Sequence, residues 1–261
     1  MKSLQALNPQ ERANIQYVLT DVDDTITTNG KLRVEALQAL WQWKEVGYRV
    51  ICITGGSAGW SDAYLRQWPI EAVVSESGAV CLYKEGDSYR TYINPSLCQK
   101  GYKERMHQLI ETVLAQVPCS KVSSDQFARR FDIAFDYHSE PPYLNSEEVA
   151  HIVSICHAAG AHTAVSSIHV NAWFGEYDKY QGCKDFFHDV LQVSEEDLLS
   201  QSIYIGDAPN DEVMFSHFPL SFAVGNFKQK AHLVHHLPQF ISDKEGGLGF
   251  AEIADVFCSV H

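Results

Sequence analysis

The chain lacks the features that mark several common classes of protein. Its seven cysteines (Cys52, Cys81, Cys98, Cys119, Cys156, Cys183, Cys258) form no CxxC pair, and their number is odd. That pattern suits neither a disulfide framework nor a zinc knuckle, so reduced thiols and a cytoplasmic location are expected. There is no Lys/Arg-rich block, and 33 acidic residues outweigh 20 basic ones to give a net charge of −13. Nucleic acid and an anionic membrane are therefore poor partners, and a small ligand is the better expectation. No apolar run approaches the ~18 residues of a membrane span, and the polar start "MKSLQALNPQERANIQ" contains no apolar signal core. Repeats and low-complexity tracts are also missing.

What is present is alternation of two textures. Short apolar runs at 15–22, 48–56 and 71–77 read as strands buried on both faces. Between them lie helical spacings at 33–47, stopped by Gly47, and at 59–68. Strand, helix, strand, helix, strand implies a doubly wound parallel α/β sheet, which binds ligands at the carboxyl ends of its strands. The middle changes character. It holds an amphipathic helix at 103–117, the alternating strand "RRFDIAFDYH" at 129–138, a helix at 146–160 and a strand at 167–174. We read 86–177 as an inserted α+β domain with an antiparallel sheet, and 1–85 with 178–261 as the α/β core. The returning core reads as a helix at 184–193, a strand at 201–207, a helix start at "PNDEVMFSHF", the strand "SFAVGN" and a final helix.

One stretch poses a chemical question. "VLTDVDDTIT" sets Asp21, Asp23 and Asp24 at the end of a buried strand. Crowded carboxylates repel, and burying them unpaired costs several kcal/mol, so positive charge is expected beside them. Further carboxylates stand at another strand end, in "IGDAPND", where Asp207, Asn210 and Asp211 lie. Oxygen ligands converging from two strand ends suit Mg²⁺ with room left for water and a phosphate oxygen.

Four motifs in this order resemble those of the haloacid dehalogenase superfamily of phosphohydrolases. They are Asp21-Val22-Asp23-Asp24-Thr25 for DxDx(T/V), Thr54 ending a strand, Lys184 opening a helix, and Gly206-Asp207-Ala208-Pro209-Asn210-Asp211 for GDxxND. An insert between the second and third motifs is similar to subclass IIB. That is the branch with an α+β cap, which includes Cof-like sugar phosphatases and enzymes acting on sucrose phosphate. The subclass usually reads TGR and ENGA, where this chain has Thr54-Gly55-Gly56 and Glu76-Ser77-Gly78-Ala79, and Asp24 stands where Gly is commoner.

The resemblance implies a Mg²⁺-dependent phosphatase of a small phosphorylated metabolite, of the sugar phosphate kind, working as a monomer or homodimer. A hexose phosphomutase and a non-catalytic sugar-phosphate sensor are the alternatives. Asp21 is implied as the nucleophile that takes the phosphoryl group, and Asp23 as the acid and then the base. Thr54 and Lys184 are implied as the groups that hold and neutralise the phosphoryl, with Lys179 the near rival and the 22-residue distance to Gly206 favouring Lys184. Metal ligands are implied at Asp21, the Asp23 carbonyl and Asp207, with Asp211 in direct contact or one layer further out. Gly55, Arg129, His169 and Asn171 are candidates for contact with the rest of the substrate. Arg129 is equally suited to a salt bridge with Asp132 or Asp136. The tryptophans Trp41, Trp43, Trp60 and Trp68 are read as packing.

Overall fold

In the computed structural model, described for residues 1–97 and 101–259, two large sheets and a two-stranded hairpin build the molecule. Cys98 lies outside the described residues. The core strands in chain order begin with β1 (Lys2–Ser3), β2 (Tyr17–Thr20), the short hairpin β3 (Thr27–Thr28) and β4 (Lys31–Leu32), then β5 (Arg49–Ile53) and β6 (Ala72–Ser75). A second hairpin follows, β7 (Val80–Glu85) and β8 (Ser88–Ile93). After β9 (Lys121–Val122), β10 (Ile133–Asp136), β11 (His162–Val165) and β12 (His169–Trp173), the chain ends with β13 (Ser202–Gly206), β14 (Ser221–Ala223) and β15 (Phe240–Ile241). The large sheet runs β1-β15-β14-β13-β2-β5-β6-β7-β8. It is parallel from β1 to β6, and β7 and β8 are antiparallel additions at one edge.

The helices follow from local signals. Helix α1 (Val34–Val46) ends at Gly47, whose φ of 102° suits a residue without a Cβ. Helix α2 (Ala58–Gln67) is capped by the Ser57 hydroxyl. Helices α3 (Tyr102–Gln116) and α4 (Ser146–Ala158) belong to the insert. Helices α5 (Lys179–Asp189), α6 (Glu195–Ser200), α7 (Glu212–His217) and α8 (Gly246–Cys258) complete the core. One apolar cluster joins α1 and α8 to one face of the sheet around Val18, Val50 and Ile203. Another packs α5 on the opposite face around Leu19, Ile51 and Tyr204. Strand β2, covered on both faces, is buried at every residue.

The insert is an antiparallel sheet, β11-β12-β10-β9, backed by α3 and α4 with its own core around Phe135, Ile152 and Val170. The sequence boundary at 86 falls in the turn of the β7–β8 hairpin, and β8 pairs along its length with β7 in the large sheet. By sheet membership, the insert therefore starts after Ile93. The sequence boundary rested on the change from α/β to α+β texture, and an edge hairpin such as β7–β8, with β8 exposed, is assigned to neither side by that change. No described helix is long and apolar enough to cross a membrane.

Candidate active site

Asp21 follows the last residue of β2, and Asp207 follows the last residue of the neighbouring strand β13. Parallel pairing of the two strands brings their carboxyl ends together, and the Asp21 N–H donates to the Ile205 carbonyl at 2.8 Å. After Asp207, a short turn closes with Asp211, whose Oδ2 accepts from the N–H groups of Asp207 (2.9 Å) and Ala208 (3.1 Å). Asp21, Asp207 and Asp211 are all buried, and oxygens from the three lie within 4.8 Å of one another.

The ammonium beside them is that of Lys179. Its Nζ donates to Asp21 Oδ1 at 2.8 Å and to Asp211 Oδ1 at 2.6 Å, and the side chain is buried. Burial alone would lower the Lys179 ammonium, but Asp21 and Asp211 hold it above its ordinary value. Lys184, the lysine chosen from sequence, is not in the site. It pairs with Glu195 at 3.7 Å on the helix surface. The reason is where α5 begins. Asp178 is the N-cap, its side chain accepting from the Gln181 N–H at 2.8 Å, so Lys179 occupies the first helical position. Lys184 lies five residues on, about 140° around the helix. The sequence signal was Asp178-x-x-Gln181, a capping pattern ahead of the apolar spacing.

A second cation went unnoticed in the sequence. Lys230 Nζ donates to Asp207 Oδ2 at 2.7 Å, and Asn226 Nδ2 donates to the same oxygen at 2.9 Å. Two ammonium groups thus face three buried carboxylates. Burial pushes the Asp21 carboxyl well above the usual range; Lys179 pulls it back, and Asp211 and Asp207 push it further up. Burial likewise raises Asp207 to about 7, against the pull of Lys230. The cluster is short of positive charge, and hard oxygen donors with such a deficit fit a divalent cation. Asp21 and Asp207 would be its ligands. Asp211 has both oxygens engaged, since Oδ1 also accepts from the Tyr204 hydroxyl at 2.6 Å, so it serves to orient Lys179 and the turn. Asn210 Oδ1 beside them is buried with no partner among the described residues.

Asp23 is half-buried and lines the same cavity as Asp21, of about 540 Å³. Burial, then the charge of Asp24, raises it to about 6. Asp24 has φ 56°, a left-handed conformation that Asp tolerates better than most residues, which accounts for its standing where Gly is commoner. Thr54, buried at the end of β5, accepts the Gly56 N–H on its hydroxyl oxygen at 2.9 Å and lines the cavity.

The insert meets the core here through a polar hub. The Gly55 carbonyl accepts from Arg129 Nη1 (2.9 Å) and Asn171 Nδ2 (3.0 Å). A Cβ on Gly55 would lie 3.1 Å from Asn171 Oδ1, which accounts for glycine at this contact. Both donors also bind Asp132, Arg129 through Nη1 at 2.9 Å and Asn171 at 2.8 Å. Of the two expectations for Arg129, the salt bridge to Asp132 is what the structure contains. Its guanidinium and the Asn171 amide line the cavity but are already engaged, so a contact to a distant substrate group is corrected to an insert–core tie. Glu76 makes a second tie, accepting N–H groups of Ala58, Arg130 and Phe131. His169 lines the cavity too; its ring is lowered to about 4 by burial and then Arg129, and its Nε2 has no partner among the described residues.

No known family pattern matches the chain, and no curated protein does. Solved structures do match in shape. The C-terminal domain of C. albicans trehalose-6-phosphate phosphatase is 12% identical, with TM-score 0.71 over 98% of this chain and 99% of that one. The fold is that of the haloacid dehalogenase-like hydrolases. A haloacid dehalogenase-like hydrolase from B. subtilis is 15% identical, with TM-score 0.66 over 92% of this chain and 99% of its own. Sucrose-phosphatase from Synechocystis, solved with sucrose and phosphate, is 14% identical, with TM-score 0.64 over 93% and 98%.

Proposed function

We propose that the protein is a Mg²⁺-dependent phosphatase of a small phosphorylated metabolite, of the sugar phosphate class, acting through an aspartyl-phosphate on Asp21. The observation that carries this is the Asp21 carboxylate at the end of a central strand, held by Lys179 and flanked by Asp207 in an oxygen-rich cavity. Mg²⁺ held by Asp21 and Asp207 would neutralise the phosphoryl oxygens.

The chain's own residues account for the rest. A phosphate monoester is slow to hydrolyse because its dianion repels nucleophiles and its alkoxide leaves poorly. Lys179 orients Asp21 and offsets its charge, and the Thr54 hydroxyl is free to donate to a phosphoryl oxygen. Asp21 Oδ attacks phosphorus as the ester P–O bond breaks, and Asp23, its pKa raised to about 6 by burial and then Asp24, gives its proton to the leaving oxygen. Asp23 then takes a proton from water, which attacks the phosphorus of the aspartyl-phosphate and releases phosphate. The insert lines one wall of the cavity and would act as its cap, limiting the access of bulk water during transfer. Screening phosphorylated metabolites for Mg²⁺-dependent phosphate release tests the reading. Turnover is expected for some esters in the wild type and for none with Asp21→Asn; an Asp21→Asn protein within about tenfold of wild type contradicts it.

A further inference from the structure

Helix α2 carries rings at Trp60, Tyr64 and Trp68, one turn apart, stacked in series. Centroids are 5.9 Å apart between Trp60 and Tyr64, with planes at 21°, and 4.2 Å apart between Tyr64 and Trp68, with planes at 17°. Trp68 is buried as packing requires, but Trp60 at the open end is 55% exposed. All three line the cavity that contains Asp21 and Asp23. A packing role leaves that exposure unexplained, because an uncovered indole forgoes much of what its burial would contribute.

The Tyr64 hydroxyl points to the same conclusion. It has no hydrogen-bond partner among the described residues, and burial, with the charge of Asp23 next, keeps it protonated. It is a donor at the cavity without an acceptor. The cap supplies a wall of different character, with Ser123, Ser166 and Ser167 and the carboxylates Asp125 and Glu140. The cap cation on that wall, Arg129, is spent on Asp125, Asp132 and the Gly55 carbonyl. A second phosphate on the substrate would meet carboxylates there, whereas hydroxyls would find acceptors.

We propose that Trp60 is a stacking platform for an uncharged, hydroxyl-bearing ring in the leaving group of the substrate, with Tyr64 donating to it and Asp125 and Glu140 accepting its hydroxyls. The platform belongs to the core helix rather than to the cap. This rests on the phosphatase reading for its chemistry but not for its geometry.

The test compares three esters, glucose 6-phosphate, acyclic glycerol phosphate and fructose 1,6-bisphosphate. In wild type, glucose 6-phosphate is expected to lead. In Trp60→Ala the ratio of its kcat/KM to that of glycerol phosphate should fall about tenfold, and Trp60→Phe should restore part of it. Tyr64→Phe should lower the same ratio, with melting temperature near wild type for each variant. Equal losses on both esters, or the bisphosphate as best substrate, would overturn the platform. Tryptophan emission titrated with glucose 6-phosphate gives a reading independent of turnover. A change in wild type that is absent in Trp60→Phe supports the platform even if no ester is hydrolysed, an outcome that would sink the phosphatase reading alone. An unchanged response in Trp60→Phe overturns it.

Discussion

Lys179 and Asp21, 158 residues apart in sequence, meet at 2.8 Å across the end of the central strand. The pair is buried, and Lys179 also binds Asp211, so one ammonium fixes two carboxylates from two strand ends. Removing it would leave both uncompensated in a low-dielectric site. Lys179→Met should therefore lower kcat/KM at least a hundredfold on any substrate that is turned over, because neutralisation acts on the phosphoryl transfer itself. Lys184→Met, which removes a partly exposed pair with Glu195 and a contact over the Tyr180 ring, should stay within about twofold. The reverse ranking would return the role to Lys184.

The acidity of Asp23 gives a pH profile with a definite sign. The group must carry its proton to protonate a leaving alkoxide, and the protonated fraction shrinks as pH rises through about 6. For alkyl phosphates, kcat/KM should thus decline above pH 6. For p-nitrophenyl phosphate, whose leaving group needs little protonation, the decline should be much shallower. Parallel profiles for the two esters would remove Asp23 as the acid.

Arg129 ties the cap to the Gly55 carbonyl and neutralises buried Asp132. Burial raises the Asp132 carboxyl, and the guanidinium opposes that rise. Arg129→Ala leaves Asp132 unpaired, a change of about 3–5 kcal/mol in comparable buried pairs, so the melting temperature should drop clearly. Turnover of large and small substrates should fall together. Selective loss on a large substrate at unchanged melting temperature would restore the substrate contact expected from sequence.

Metal binding to Asp21 and Asp207 should stabilise the native state by mass action, about 2.7 kcal/mol at a hundred times the dissociation constant. Millimolar Mg²⁺ should raise the melting temperature of wild type and leave that of Asp207→Ala unchanged, and a chelator should abolish turnover. Full activity in excess chelator would take the metal out of the account.

Much of this architecture was legible because its signals are local. Strands β2, β5 and β13 read as apolar runs since a central parallel strand is buried on both faces, and the carboxylates at the ends of β2 and β13 stood out against that background. The lysine was misplaced because the 22-residue distance from Lys184 to Gly206 was preferred over Lys179, its near rival, whereas the N-cap at Asp178 opens the helix at Lys179. Lys230 carried no signal; the short turn over Gly225–Gln229 after β14 brings it to Asp207, and that is a tertiary fact. Arg129 and Asn171 were candidates for substrate contact, with a salt bridge equally open to Arg129, and their commitment to Asp132 depends on which residues the fold sets opposite them. Trp60 differs from Trp68 on the same aromatic ladder in its exposure, which helical periodicity does not assign to rings that run along one face.

The central claim is that Asp21 carries the phosphoryl group. Asp23→Asn mixed with p-nitrophenyl phosphate should complete the first step, whose leaving group needs no acid, and stall at the second, which needs the base. Acid quenching followed by borohydride reduction converts an aspartyl-phosphate to homoserine, which peptide mass spectrometry can locate. Homoserine at position 21, in step with a stoichiometric burst of nitrophenolate, is the predicted result. Nitrophenolate release with Asp21 unmodified throughout would contradict the account.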